Sequence, residues 1–198
     1  MAYWIGAGGS ALFVLVFLID GWRRPGYSPV RHPVSALALG TRGWIQTSNF
    51  LCCGAAITLG ALGIVTSGRD LLLGIALGVF GLGLVVSGVF PMDPMRGYPP
   101  GSPDGDPADF STRHRLHDYA GAVVFLALPA AAAVAAFVLP GMIWTAVSAI
   151  AAAGLLFGFS AFGTAWEDNS PKAGLVQRAV IIPGWLWVTA VFLHLASH

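Results

Sequence analysis

Charge is scarce in this sequence. Asp, Glu, Lys and Arg make up 10% of its 198 residues, where soluble domains carry about 25%. That shortage excludes an ordinary water-soluble domain. The charges that are present nearly cancel, to a net +1, so nothing points to nucleic acid as a partner. Cysteine is equally rare, and the two that occur, Cys52 and Cys53, are adjacent inside an apolar run. Consecutive helical positions point about 100° apart, so the pair makes neither a bridge nor a chelate with itself, and both read as small packing residues. No Lys or Arg precedes Arg23. The first apolar run therefore lacks the basic start of a secretory signal and is expected to be retained as a helix. The two halves show no internal repeat, and no serine has the glycine pattern of a nucleophile elbow.

What is there is apolar: 56% of the residues, with a mean hydropathy of +0.75. A bilayer crossing takes about 20 mainly apolar residues. Six such runs cover about residues 2–19, 44–66, 71–90, 117–139, 142–163 and 174–196, and short loops use up the rest. The expectation is an all-α, polytopic membrane protein: one six-helix transmembrane domain with the lipid bilayer as its surroundings. Between the first two runs, residues 33–39 read as a short helix, with Pro33 at its first position and Gly40 as its stop. It is too short to cross, so it should lie in the interface or dip in against the bundle, with His32 and Ser35 sharing one side.

Orientation follows from the basic residues. Loops after the first, third and fifth runs hold Arg23, Arg24, Arg31, Arg42, Arg96, Arg113, Arg115 and Lys172, and the opposite end holds only Arg69. The positive-inside rule puts the three polar loops in the cytoplasm and both termini outside a cell inner or plasma membrane.

The polar side chains gather at that same end. Arg42, Gln46, Asn49 and Cys53 follow spacings of four, three and four, one face of a helix that should turn inward. His114, His117 and Asp118 share one face at the start of the fourth helix, with Ser111 or Thr112 as its N-cap. The positive helix end disfavours imidazolium, which leaves neutral, ligand-competent rings. With Asp93, these residues make up the ligand set of a divalent metal such as zinc: His114, His117, Asp93 and Asp118. On that reading Asp93, His117 and Ser35 are the catalytic candidates, and His32, Asn49, Gln177 and Arg178 hold a ligand, Arg178 gripping an anionic head group. Each residue also has a plain structural role. The histidines suit helix capping, Asp93 before Pro94 suits a turn, Ser35 is a small residue in a short helix, and Arg178 can snorkel or pair with Asp93, Asp118 or Glu167. Trp4, Trp22, Trp44 and Trp166 fall where aromatic belts form.

The order of His32-Pro-x-Ser35, Gly43-Trp44 with Asn49, Phe90-Pro-x-Asp93, His114-x-x-His117 and Gln177-Arg178 resembles the bacterial and archaeal membrane family catalogued as domain of unknown function 998. That resemblance spans nearly the whole chain and implies a six-helix integral membrane protein with no assigned activity. A looser resemblance, in Ser, Asp and His at one face of a bundle, is to the seven-helix zinc hydrolases of the alkaline ceramidase and adiponectin-receptor group. The present chain has six runs rather than seven, and His32 would have to stand in for their third histidine. Two functions stay open: a metal-assisted hydrolase acting on a lipid-like substrate, or a non-enzymatic permease, sensor or accessory subunit with a structural or ligand-binding polar cluster. Neither substrate nor oligomeric state is legible.

Overall fold

The computed structural model describes residues 1–197. Its helices are α1 (Ala2–Arg23), α2 (Gly43–Thr66), α3 (Leu71–Val89), α4 (Thr112–Val138), α5 (Met142–Glu167) and α6 (Ala173–Ser197). The shortest, α3, has 19 residues and rises about 28 Å, close to the ~30 Å hydrocarbon thickness. All six are long and apolar enough to cross a bilayer. The chain is a multi-pass membrane protein built as an all-helical bundle. Lipid offers no hydrogen bonds, so even the glycine-rich run of α3 satisfies its backbone as a helix. The helix starts are marked by side chains: the Asp70 carboxylate accepts from the Leu73 amide at 2.7 Å, and the Ser111 hydroxyl from the His114 amide at 3.1 Å.

Each helix packs against its chain neighbours, and α6 returns to α1, closing a ring. Trp185 of α6 fills the middle, stacked on Phe13 at 5.3 Å and edge-on to Phe80 at 4.8 Å. The loosest member is α5, which buries only Ser148 and Leu155. Its tie to α6 is a hydrogen bond from the Trp187 indole to the Ser148 hydroxyl at 3.2 Å.

The segment between α1 and α2 folds back against the bundle. It forms the expected short helix as a 3-10 helix over Val34–Ala38, with Pro33 as its N-cap rather than its first residue. Val34, Ala36 and Leu37 are buried, so the turn dips inward. His32 precedes it and lines a separate cavity from that of Ser35. The reason lies in α6. The first amides of a helix lack internal partners, and those of Gly174 and Leu175 donate to the carbonyls of Arg31 (3.2 Å) and Val30 (2.9 Å). A Cβ on Gly174 would run into the carbonyl oxygens of His32 and Pro29, so only glycine lets the segment lie this close.

Candidate functional site

Two adjoining cavities lie at the loop end of the bundle, sharing Ser35, His117, Gly121, Phe125 and Gln177. The outer one, about 250 Å³, is half-open and lies between α4 and α5, with Phe159, Phe162 and Trp166 on its α5 side. The inner one, about 50 Å³, runs on to Phe13, Leu84 and Trp185. Gly121 and Gly163 border the outer cavity, and a Cβ on either would meet no atom within 4 Å.

His117 is buried and sits at the junction of the two. Its Nδ1 lies 2.8 Å from the Phe90 carbonyl and 3.2 Å from that of Ser87. A carbonyl only accepts, so Nδ1 carries the proton and donates, capping the end of α3, whose last carbonyls have no internal partners. In the neutral ring Nε2 then holds a lone pair, and among the described residues it has no partner. His114 is assigned the opposite tautomer. Its Nδ1 accepts from the Asp93 amide at 2.9 Å, and Nε2 faces the Asp118 carboxylate at 3.1 Å. Both of its nitrogens are engaged, and its ring stacks on Phe110 at 4.4 Å.

The remaining predicted residues divide into two groups. Ser35, His114, His117, Asp118 and Gln177 do line the outer cavity. The Ser35 hydroxyl has one weak contact, to the Met92 sulfur at 3.4 Å. Gln177 accepts from the Val34 amide at 2.7 Å through its oxygen, and its amide nitrogen has no partner among the described residues. The others face elsewhere. The Asp93 carboxylate accepts from the Ser111 amide at 2.7 Å and hydroxyl at 2.6 Å. Burial works upward on its pKa, but the two Ser111 bonds outweigh it and hold Asp93 below the usual carboxylate range. Asn49 is taken up inside the bundle, donating to the Phe13 carbonyl at 3.1 Å and the Gln46 side chain at 3.2 Å. The inward stripe of α2 is present at Gln46, Asn49 and Cys53, all buried, while Arg42 at its start is half-exposed. His32 accepts from the Ser28 amide at 3.0 Å, and burial first, then the charge of Arg31, lowers its pKa.

Arg178 is buried and has no carboxylate in ion-pair range among the described residues. It donates to the carbonyls of Pro29 (2.6 Å), His32 (3.0 Å) and Gly174 (2.9 Å), and to the Tyr27 hydroxyl. The Tyr27 phenol, pushed up to about 12 by burial, stays neutral and donates to the His32 and Pro33 carbonyls. Arg178 is thus turned toward the backbone of residues 29–32 and away from the cavity.

Three features escaped the sequence reading. Asp20 in the last turn of α1 and Arg24 just after its end, both buried, form an ion pair, joined by Arg42 at 3.2 Å. The i, i+4 spacing of Asp20 and Arg24 is the sequence signal that marks such a pair. Arg96 makes a two-pronged bond to Asp106 at 2.6 and 2.8 Å, donates to the Trp166 carbonyl at 2.7 Å, and lies 3.8 Å over the Trp166 ring. It clamps the loop before α4 to the end of α5. The third is Trp185, whose buried indole nitrogen has no partner among the described residues.

The donor set does not fit the expected divalent metal. Among the described residues no three His, Cys, Asp or Glu side chains converge. Of the four expected ligands, His114 has no lone pair left and Asp93 is taken by Ser111. Of the four, only His117 Nε2 and the second oxygen of Asp118 are left free on residues that line the cavity, one donor short of the three a protein metal site uses.

The family described as protein of unknown function (DUF998) matches residues 7–194. This chain belongs to that family. No curated protein and no solved structure matches it significantly. In this DUF998 member the residues that carried the resemblance form two locks. His32-Pro-x-Ser35 is held by Gln177-Arg178, and Phe90-Pro-x-Asp93 by His114-x-x-His117. The cavity lies between the two.

Proposed function

We propose that this DUF998 protein binds a membrane amphiphile, its polar head in the cavity between α4 and α5 and its chain running out toward lipid. One observation carries the reading: an aromatic-walled cavity is lined by His117 and Gln177, each with one side-chain nitrogen that has no partner among the described residues. Ligand sites commonly have this make-up, apolar walls with a few placed polar groups. At about 250 Å³ the cavity falls below the roughly 300–1,000 Å³ of drug-sized sites, which matches a head group with a short stretch of chain. The excess of Arg and Lys at the loop end supports a position for the cavity in the cytoplasmic leaflet.

Native mass spectrometry of the protein released from lipid tests this. The wild type is expected to retain an amphiphile, and Gly163→Leu, which fills the cavity without meeting another atom at its Cβ, is expected to lose it at unchanged thermal stability. Equal retention by both proteins would refute the proposal. A second reading makes the bound amphiphile a substrate, because the His117 lone pair and the Ser35 hydroxyl line the same two chambers and a neutral imidazole is a general base. Hydrolysis of an ester amphiphile, lost in His117→Ala, distinguishes it from binding alone.

A further inference from the structure

The innermost polar group of the site is the indole N–H of Trp185. The residue is 1% exposed, lines the inner chamber, and has no hydrogen-bond partner for its nitrogen among the described residues. The neighbouring Trp187 shows the usual arrangement, its indole N–H paired with Ser148 at 3.2 Å. Buried N–H groups are nearly always paired, so an orphan at the end of a cavity is a donor waiting for an acceptor from outside the chain. An indole only donates. The Gln177 amide nitrogen also donates, His117 Nε2 accepts, and the Ser35 hydroxyl does either.

Charge narrows the ligand further. No Lys or Arg lines either chamber, since Arg178 is spent on the carbonyls of residues 29–32 and 174. The one full charge is the carboxylate of Asp118, 60% exposed at the mouth. A phosphate head would find no cation and would pass a carboxylate on entry. A cationic head would meet the N–H donors of Gln177 and Trp185 deeper in.

Resting on the amphiphile reading above, we infer that the ligand is an uncharged lipid with at least two head-group oxygens: a hydroxyl that donates to His117 Nε2 and a second oxygen that accepts from Trp185. A monoacylglycerol has this pattern.

The indole N–H NMR signals of the isotopically labelled protein report it directly. Trp185→Phe assigns the Trp185 signal, and Trp187 is the internal control. Added monooleoylglycerol is expected to move Trp185 downfield, leave Trp187 in place, and have no effect on Trp185 in Gly163→Leu. The phosphate-headed analogue with the same chain is expected to bind about tenfold or more weakly, a loss of roughly 1.4 kcal/mol. A Trp185 signal that stays put, as when water already satisfies it, or an equal response to the phosphate analogue, overturns the inference. If some other amphiphile is retained by the wild type and lost in Gly163→Leu while Trp185 does not respond to monooleoylglycerol, the binding reading stands and the head-group assignment falls.

Discussion

At His117 the two ring nitrogens have different tasks. Nδ1–H closes the end of α3, and Nε2, on a residue that lines the cavity, is left as a free acceptor among the described residues. His114, one turn earlier, has both nitrogens committed to the loop and to its own helix. His117→Ala is therefore expected to weaken amphiphile retention while the protein still folds. His114→Ala should instead loosen residues 90–94 without abolishing retention. Retention by mass spectrometry and proteolysis of the loop separate the two effects. Arg178 makes a stronger structural prediction. Arg178→Met leaves two carbonyls of the loop and the Tyr27 hydroxyl without their charged donor. Hydrogen bonds to charged groups contribute about 1.5–3 kcal/mol each, so a loss of about 4.5 kcal/mol or more is expected in denaturant unfolding. Lysine, lacking the planar fork, should restore less than half of it. His32 supplies a pH dependence. Its pKa in the folded chain lies below the ordinary value of 6.5, so the unfolded segment takes up the proton first as pH falls. Stability is then unchanged above that value and declines below it, toward the folded pKa. Unfolding midpoints measured across this range should slope for the wild type and flatten in His32→Gln.

The helices were legible because a bilayer allows little else: apolar length alone implies them. The short helix expected over 33–39 is present, as a 3-10 helix over Val34–Ala38. Pro33 and Gly40 do bracket the element, but the amides of Gly174 and Leu175 and the side chains of Gln177 and Arg178 dictate the path before it. Those partners lie far along the chain, where local periodicity carries no information. The same limit explains Arg96, whose clamp joins residues 96, 106 and 166 across two connections. Arg96→Leu removes it, and amide exchange over residues 97–106 should quicken by about tenfold, the equivalent of one lost charged hydrogen bond. Exchange in α1 to α3 should not change. A uniform rise across the bundle would instead give Arg96 a global role.

For the whole molecule, the sequence located the polar end of the bundle but did not separate its residues by role. Every member of the expected metal set lies within that end, yet spacing on one helix face could not reveal that Asp93 turns to Ser111 and that His114 faces Asp93 and Asp118. Nor could it reveal a cavity, which depends on how loosely α5 packs against α4 and α6. The positive-inside count predicts both termini outside. In a background with Cys52 and Cys53 replaced by serine, Ser67→Cys should react with a membrane-impermeant maleimide on intact cells. Asp104→Cys should react only after permeabilisation, and the reverse pattern would invert the assignment.

The central claim is an amphiphile lodged between α4 and α5, and an experimental structure in a lipid nanodisc tests it most directly. The account predicts continuous density from the lipid through the gap beside Gly121 and Gly163, ending with a ligand oxygen within hydrogen-bond distance of His117 Nε2. A gap closed by contact between α4 and α5, or a cavity holding only water, would contradict it.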